Sequence, residues 1–215
     1  MRLDTAAAWG YCPGMRKRIL TVAFFGLWFT GTYPAWGQAA HPLAKASKGD
    51  WAQYVFNSQN ETIPLLSVKD QKEWRVISVV QATGVRLDHY MTVGGSRTAG
   101  LGSIIYFNTP FEPVDDLAQG AKIDIVSTTP ESVTIKGKAY ACLKIVRKVS
   151  RAADITKGQS GWNGTSTVWL CPDIPAGGIV KIENRYSSQL TDDSKPNKIV
   201  ETLVLTDFGF KNWKE

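Results

Sequence analysis

The stretch Thr167-Val-Trp-Leu-Cys-Pro-Asp-Ile-Pro-Ala-Gly-Gly-Ile-Val-Lys-Ile-Glu183 restricts the fold more than any other. It writes a strand, a proline-interrupted corner and a second strand without a gap. Pro172 and Pro175 have no backbone N–H to give to a ladder, so pairing must stop there. Gly177 and Gly178 accept the positive φ angles that let the chain re-enter a sheet. With Trp169 just before the elbow, these residues form a structural corner built into a β surface.

From Asp50 onward the apolar residues recur with period two, the spacing of half-buried strands. Trp51–Phe56 opens a strand that Asn57–Asn60 is expected to break. Over 72–82, Trp74, Val76 and Val80 oppose Glu73, Arg75 and Gln81. The alternation is cleanest over 85–93, with Val85, Leu87, His89, Met91 and Val93 on one face and Arg86, Asp88, Tyr90 and Thr92 on the other. Residues 122–127 and 133–149 read as strands joined at Thr128–Glu131, and 150–165 as a long polar loop around Trp162. Residues 179–187 and 198–208 close the series, and the last carries apolar side chains on both faces, which a strand wet on one side does not need. About nine strands with hardly any helix predict a single antiparallel, strongly curved sheet, a half-barrel or open barrel, with a β-sandwich as the alternative.

Three motifs carry a resemblance: Trp169-Leu-Cys-Pro-Asp-Ile-Pro-Ala-Gly-Gly-Ile-Val-Lys181, Lys48-Gly-Asp-Trp-Ala-Gln-Tyr54 and Gly137-Lys-Ala-Tyr-Ala-Cys142. They resemble, in order, the corner, the opening and the Gly-x-x-Tyr/Phe-x-Cys strand of uncharacterised bacterial exported proteins with the half-barrel fold of the lipoprotein-localisation factors. Cys171 stands where that corner usually has Ser. The resemblance implies a curved sheet whose concave face holds an acyl chain, a lipoprotein or another apolar ligand.

The N-terminus reads as a secretory signal. Met15-Arg-Lys-Arg18 precedes an apolar run from Ile19 to Gly31, and Ala35-Trp-Gly37 offers small residues for cleavage near 37–40, with Met15 an alternative start. The run is shorter than the roughly 20 residues that a spanning helix needs, so no transmembrane segment is expected after cleavage. The expected organisation is a signal over 1–37, a flexible leader over 38–48 and one β domain over 49–215, in the bacterial periplasm or cell envelope. The whole chain carries a net charge of +6. The first 37 residues hold four basic and one acidic side chain, which leaves +3 for the rest. No basic run longer than Arg147-Lys148 occurs, which argues against nucleic acid as a partner.

Two cysteines survive cleavage, Cys142 and Cys171. An even count in an exported chain argues for a disulfide between them, closing a loop of about 29 residues for roughly 3–4 kcal/mol on the chain-entropy scale. Two separate buried thiols are the competing reading. The glycine-rich stretch 94–103 lacks the Lys-Ser/Thr ending of a phosphate loop and reads as a mobile connection. Ile104, Ile105, Tyr106 and Phe107 after it are expected either to close over the sheet as a ligand lid or to pair as another strand. His89 reads as a core histidine and His41 as part of the leader. Asp115 with Asp116 and Asp192 with Asp193 are expected in turn and capping roles. No catalytic constellation, cofactor site or metal-ligand spacing emerges. The function expected is a non-enzymatic binding or carrier module for an apolar ligand. A structural or interaction protein of the envelope comes second, and an envelope-polymer hydrolase last.

Overall fold

The computed structural model describes residues 41–100, 102–109, 111–113, 121–153, 160–189 and 196–214. The signal segment and the four aspartates just named lie outside the described residues. Residues 39–215 form one compact unit. Its strands are β1 (Trp51–Asn60), β2 (Val68–Gln81), β3 (Gly84–Val93), β4 (Ser96–Ala99), β5 (Ser103–Tyr106), β6 (Lys122–Ile135), β7 (Lys138–Arg151), β8 (Gly161–Leu170), β9 (Ile179–Gln189) and β10 (Asn197–Gly209). All ten join one antiparallel sheet in the order β4-β3-β2-β1-β10-β9-β8-β7-β6, with β5 added to β3 beside β4. The sheet is strongly curled and open, not closed into a barrel.

The order shows two meanders. One runs from β1 out to β4 and β5, the other from β6 back to β10, and they meet where the first strand pairs with the last. Bulges at Gln53/Tyr54, Phe56/Ser58 and Ile77/Val79 lie around this junction, where an extra residue increases the local twist.

One end of the curl is plugged. The 3-10 turn Pro42–Lys45 inserts Leu43, the corner inserts Ile174 and Ala176, and β5 inserts Ile105, all against buried Ile77, Leu87, Leu170 and Ile179. Sealing each large apolar side chain contributes about 1.5–3 kcal/mol. Tyr54 spans this core, and its hydroxyl donates to the Ile179 carbonyl at 3.0 Å.

Several expectations are corrected. Asn57–Asn60 does not end β1, because these residues pair with Thr202 to Ile199 of the last strand. The β6–β7 hairpin turns at Lys136-Gly137, with φ of 50° and 79°, and not at Thr128–Glu131. Pro130 is tolerated within β6 because β6 is an edge strand, where the missing N–H removes no ladder bond. The glycine-rich stretch contributes β4, which returns on β3 through Gly94-Gly95. The supposed loop around Trp162 is the first part of β8, with Trp162 buried.

The corner closes as its sequence requires. The Cys171 N–H donates to the Gly178 carbonyl at 2.7 Å, and Gly177 and Gly178 take φ of 103° and 73°. A Cβ on Gly178 would lie 2.7 Å from the Cys171 oxygen and 2.5 Å from the Phe111 ring, whereas one on Gly94, at φ 58°, meets nothing within 4 Å. Gly178→Ala is therefore expected to destabilise by about 3 kcal/mol, from left-handed strain plus overlap, and Gly94→Ala by only about 1 kcal/mol. Urea denaturation midpoints of the two variants check the contrast.

Candidate functional site

Strand register places side chains on the concave face in straight rows. Ile145, Val168, Ile182, Leu203 and Phe56 make one apolar row across β7, β8, β9, β10 and β1. The next row toward the unplugged end is polar: Arg147, Ser166, Asn184 and Glu201 are register partners in sequence. Arg147 donates from Nη2 to Ser166 Oγ at 2.7 Å, and Asn184 Nδ2 to Glu201 Oε2 at 3.4 Å. Tyr186 completes the group by donating its hydroxyl to Glu201 Oε1 at 2.7 Å. Burial raises the Tyr186 pKa, and the neighbouring Glu201 carboxylate raises it further. Asn184 is buried and its Oδ1 has no hydrogen-bond donor among the described residues.

A second polar group lies across β1, β2 and β3. Arg75 is buried, paired with Glu73 at 2.8 Å, and lies over the Tyr54 ring at 5.3 Å. His89 stands opposite it on β3 and is buried, as a core histidine should be. His41 is also buried. It accepts the Leu43 N–H at 3.2 Å and packs against Phe107 and Phe111, so it belongs to the plug. Its burial lowers its pKa.

Toward the unplugged rim the concave face is no longer covered. Val68, Met91 and Val93 share this face, by register with Ser58, Glu73 and each other, yet are 39%, 39% and 56% exposed. Leu65 and Leu66, in the 3-10 turn Pro64–Leu66 between β1 and β2, are exposed at the same rim.

The four residues proposed for a lid do not act together. Ile104 to Tyr106 pair with Arg86 to Gly84 as β5, which sends Ile105 into the core and leaves Ile104 and Tyr106 on the outer, exposed side. Phe107 packs against the core at the plugged end. Of the two readings left open, the strand is the one observed.

Trp169 lies on the outer face, opposite in side to Val168. Lys144 and Lys181 sit over its ring at 5.2 and 5.0 Å, and its indole N–H donates to Glu131 at 3.0 Å. A second outer cluster was not legible in the sequence. Arg97 is held between Trp74 and Trp213 at 4.9 and 4.4 Å, and Trp51 and Tyr90 flank Trp213. Trp213 follows β10, so its contact with β4 follows only once the two meanders are joined.

The expected disulfide is not formed in this structure: Cys142 and Cys171 are free, buried thiols. They are nonetheless neighbours. Each lies one residue beyond the Leu143–Leu170 pair, close enough to shift the other's hold on its proton. Cys142 also donates to the Tyr140 carbonyl at 3.6 Å. Burial pushes the Cys142 thiol up to about 12, the proximity of Cys171 adding to it, and burial raises Cys171 as well.

Among the described residues no group of three His, Cys, Asp or Glu side chains is placed to hold a metal, and no helix is long and apolar enough to cross a membrane. No family model and no curated relative matches the chain. A solved structure from Parabacteroides distasonis, described as a "putative lipoprotein", is similar over 76% of this chain and 96% of its own. The identity is 12% and the TM-score 0.42.

Both thiols hold their protons more tightly in the folded chain than the ordinary value of 9.0, so the folded state retains protons that the unfolded state loses. Their stabilising contribution is full below about pH 9 and is lost as pH rises toward 12. With reductant present, the denaturation midpoint is expected to fall across that window, and a Cys142→Ala/Cys171→Ala chain to show a shallower fall. Titration with a thiol-specific chromogenic disulfide at pH 8 is expected to label neither cysteine until denaturant is added.

Proposed function

We propose that this chain is an exported, non-enzymatic protein of the bacterial cell envelope that binds or carries an apolar or amphipathic ligand, a lipid or a lipid-bearing protein. The ligand would enter the concave face from its unplugged rim. The observation that carries the reading is the contrast along that face: inward side chains are sealed at the plugged end, while Val68, Met91 and Val93 stay partly in water at the other. Apolar side chains on a concave surface and next to exposed Leu65 and Leu66 form the kind of patch that marks a binding surface. The signal-like leader and the half-barrel resemblance support export and this class of ligand.

The second reading is an interaction protein whose sheet is filled by its own side chains. The closely packed plug favours it, since Tyr54, Leu170, Ile174 and Ile179 already occupy that end of the curl.

Export also supports a Cys142–Cys171 bridge. Two neighbouring thiols would lose two protons and two electrons to the disulfide of a thiol–disulfide oxidoreductase, which is reduced to its dithiol. Intact mass of protein taken from an oxidising compartment would be lower than that of reduced protein by two hydrogen masses.

A fluorescent fatty acid is expected to bind with saturation, and Met91→Glu/Val93→Glu to weaken it about tenfold while leaving the melting temperature within a few degrees, since both positions are solvent-facing. Native mass spectrometry without any co-purifying lipid, together with no uptake of the fatty acid, would favour the interaction protein.

A further inference from the structure

Beyond the Glu73–Met91 pair the sheet divides. There β2 keeps Val68 to Lys72 against β1 alone, while β3 leads Thr92 and Val93 away to pair with Arg97 and Ser96 of β4. The division leaves an open cleft of about 730 Å³, walled by 68–72 and Trp74 on one side and by 92–95 on the other.

One wall is a strand edge, 68–72 of β2, and the other is the last two residues of β3, Thr92 and Val93, followed by the Gly94-Gly95 turn. An acyl chain seated between them would leave backbone N–H and C=O groups unpaired, at a cost that a hydrocarbon cannot offset. An extended polypeptide meets the β2 edge with its own ladder groups. One donor is already committed: Asp70, at φ 54°, gives its N–H to Asn57 Oδ1 on β1. On the opposite wall, a Cβ on Gly94 or Gly95 would meet nothing within 4 Å, so the turn leaves that end of the cleft open.

Size agrees. A strand occupies roughly 4.8 Å between neighbours and about 10 Å between faces, so 730 Å³ holds about 15 Å of strand, or four to five residues. The β2 wall, Val68 to Lys72, has that length. Charge narrows the occupant further. Lys69 and Lys72 face one acidic residue, Asp70, the wall 92–95 is uncharged, and the Arg97 guanidinium lies on the Trp74 ring at 4.9 Å.

We propose that this cleft takes an extended, acidic polypeptide segment of about four or five residues as a strand added to the free edge of β2, with Thr92 and Val93 of β3 on its other side. It is a site for peptide backbone that shares Val68 and Val93 with the apolar rim, and its dependence on backbone N–H groups separates it from lipid uptake.

The test uses a fluorescein-labelled octapeptide alternating valine with glutamate and threonine, titrated with the purified protein and followed by anisotropy. Saturable binding is expected, weakened at least about tenfold when alternate backbone nitrogens are N-methylated. Lys69→Glu/Lys72→Glu is expected to weaken the glutamate peptide about tenfold and to improve binding of its lysine counterpart. Should that variant fail to fold, Lys69→Gln/Lys72→Gln is expected to weaken the glutamate peptide alone. Absence of saturable binding, or binding indifferent to N-methylation, overturns the proposal. A concentration-dependent dimer in sedimentation that excludes the peptide also overturns it, assigning the cleft to a second copy of the chain.

Discussion

The seam between β1 and β10 holds the molecule together. Without it the two meanders are separate sheets with separate, insufficient cores. Trp51 pairs with Gly209 and Asn60 with Ile199, so the seam joins the start and the end of the described chain. Closing so long a loop has an entropic cost, but one that grows only with the logarithm of length. Against it stand a ladder of register pairs and the burial of Ala52, Tyr54, Leu203 and Leu205, all on one side of the seam. The Thr206 hydroxyl, donating to the Gln53 carbonyl at 3.1 Å, and the Lys136–Asp207 ion pair tie the flanks of β10 to β1 and to the β6–β7 turn. Such non-local pairing forms slowly, because most of the chain must be in place before the seam stabilises anything.

How much of this was legible depended on whether the signal was local. The alternation from Val85 to Val93 sorted those nine residues of β3 between its two faces, and the proline and glycine corner falls between β8 and β9 because its constraint is written in four residues. The extents of β1 and β6 were misread for one reason: whether Asn57–Asn60 or Pro130 breaks a strand depends on what lies beside it. Paired with β10, the asparagines at the end of β1 stay in the ladder; on an open edge, Pro130 loses nothing. Gly164 was read as a loop residue, but a Cβ there would lie 2.1 Å from the Arg185 carbonyl, so it marks close strand approach. The polar row Arg147, Ser166, Asn184 and Glu201 was invisible because its members lie on four strands and meet only through register.

That row separates two regimes of the concave face. On its plugged side the interior resembles an ordinary protein core, and a chain selected for stability alone would continue it with apolar side chains, since burying charge costs more than its pairing returns unless every group is satisfied. Here much of the row is hydrogen-bonded: Glu201 accepts from Tyr186 and Asn184, and Ser166 accepts from Arg147. Asn184 Oδ1 remains without a donor. A polar belt at that depth ends the sealed core and fixes register across β7 to β10, because slipping any strand by one residue would bury one member of the row unpaired and expose an apolar neighbour.

The consequence is a division of labour along the strands. The plug, the corner and the β1–β10 seam concentrate rigidity at one end, where Ile77, Leu87 and Ile174 are fully enclosed. The same strands, continuing past the polar belt, can then leave Val68, Met91 and Val93 uncovered and let β2 and β3 part without unravelling the sheet. A binding surface of this kind needs no closing element of its own: its apolar and backbone groups are held ready by strands whose other ends are already fixed, so little ordering entropy is lost when a partner arrives.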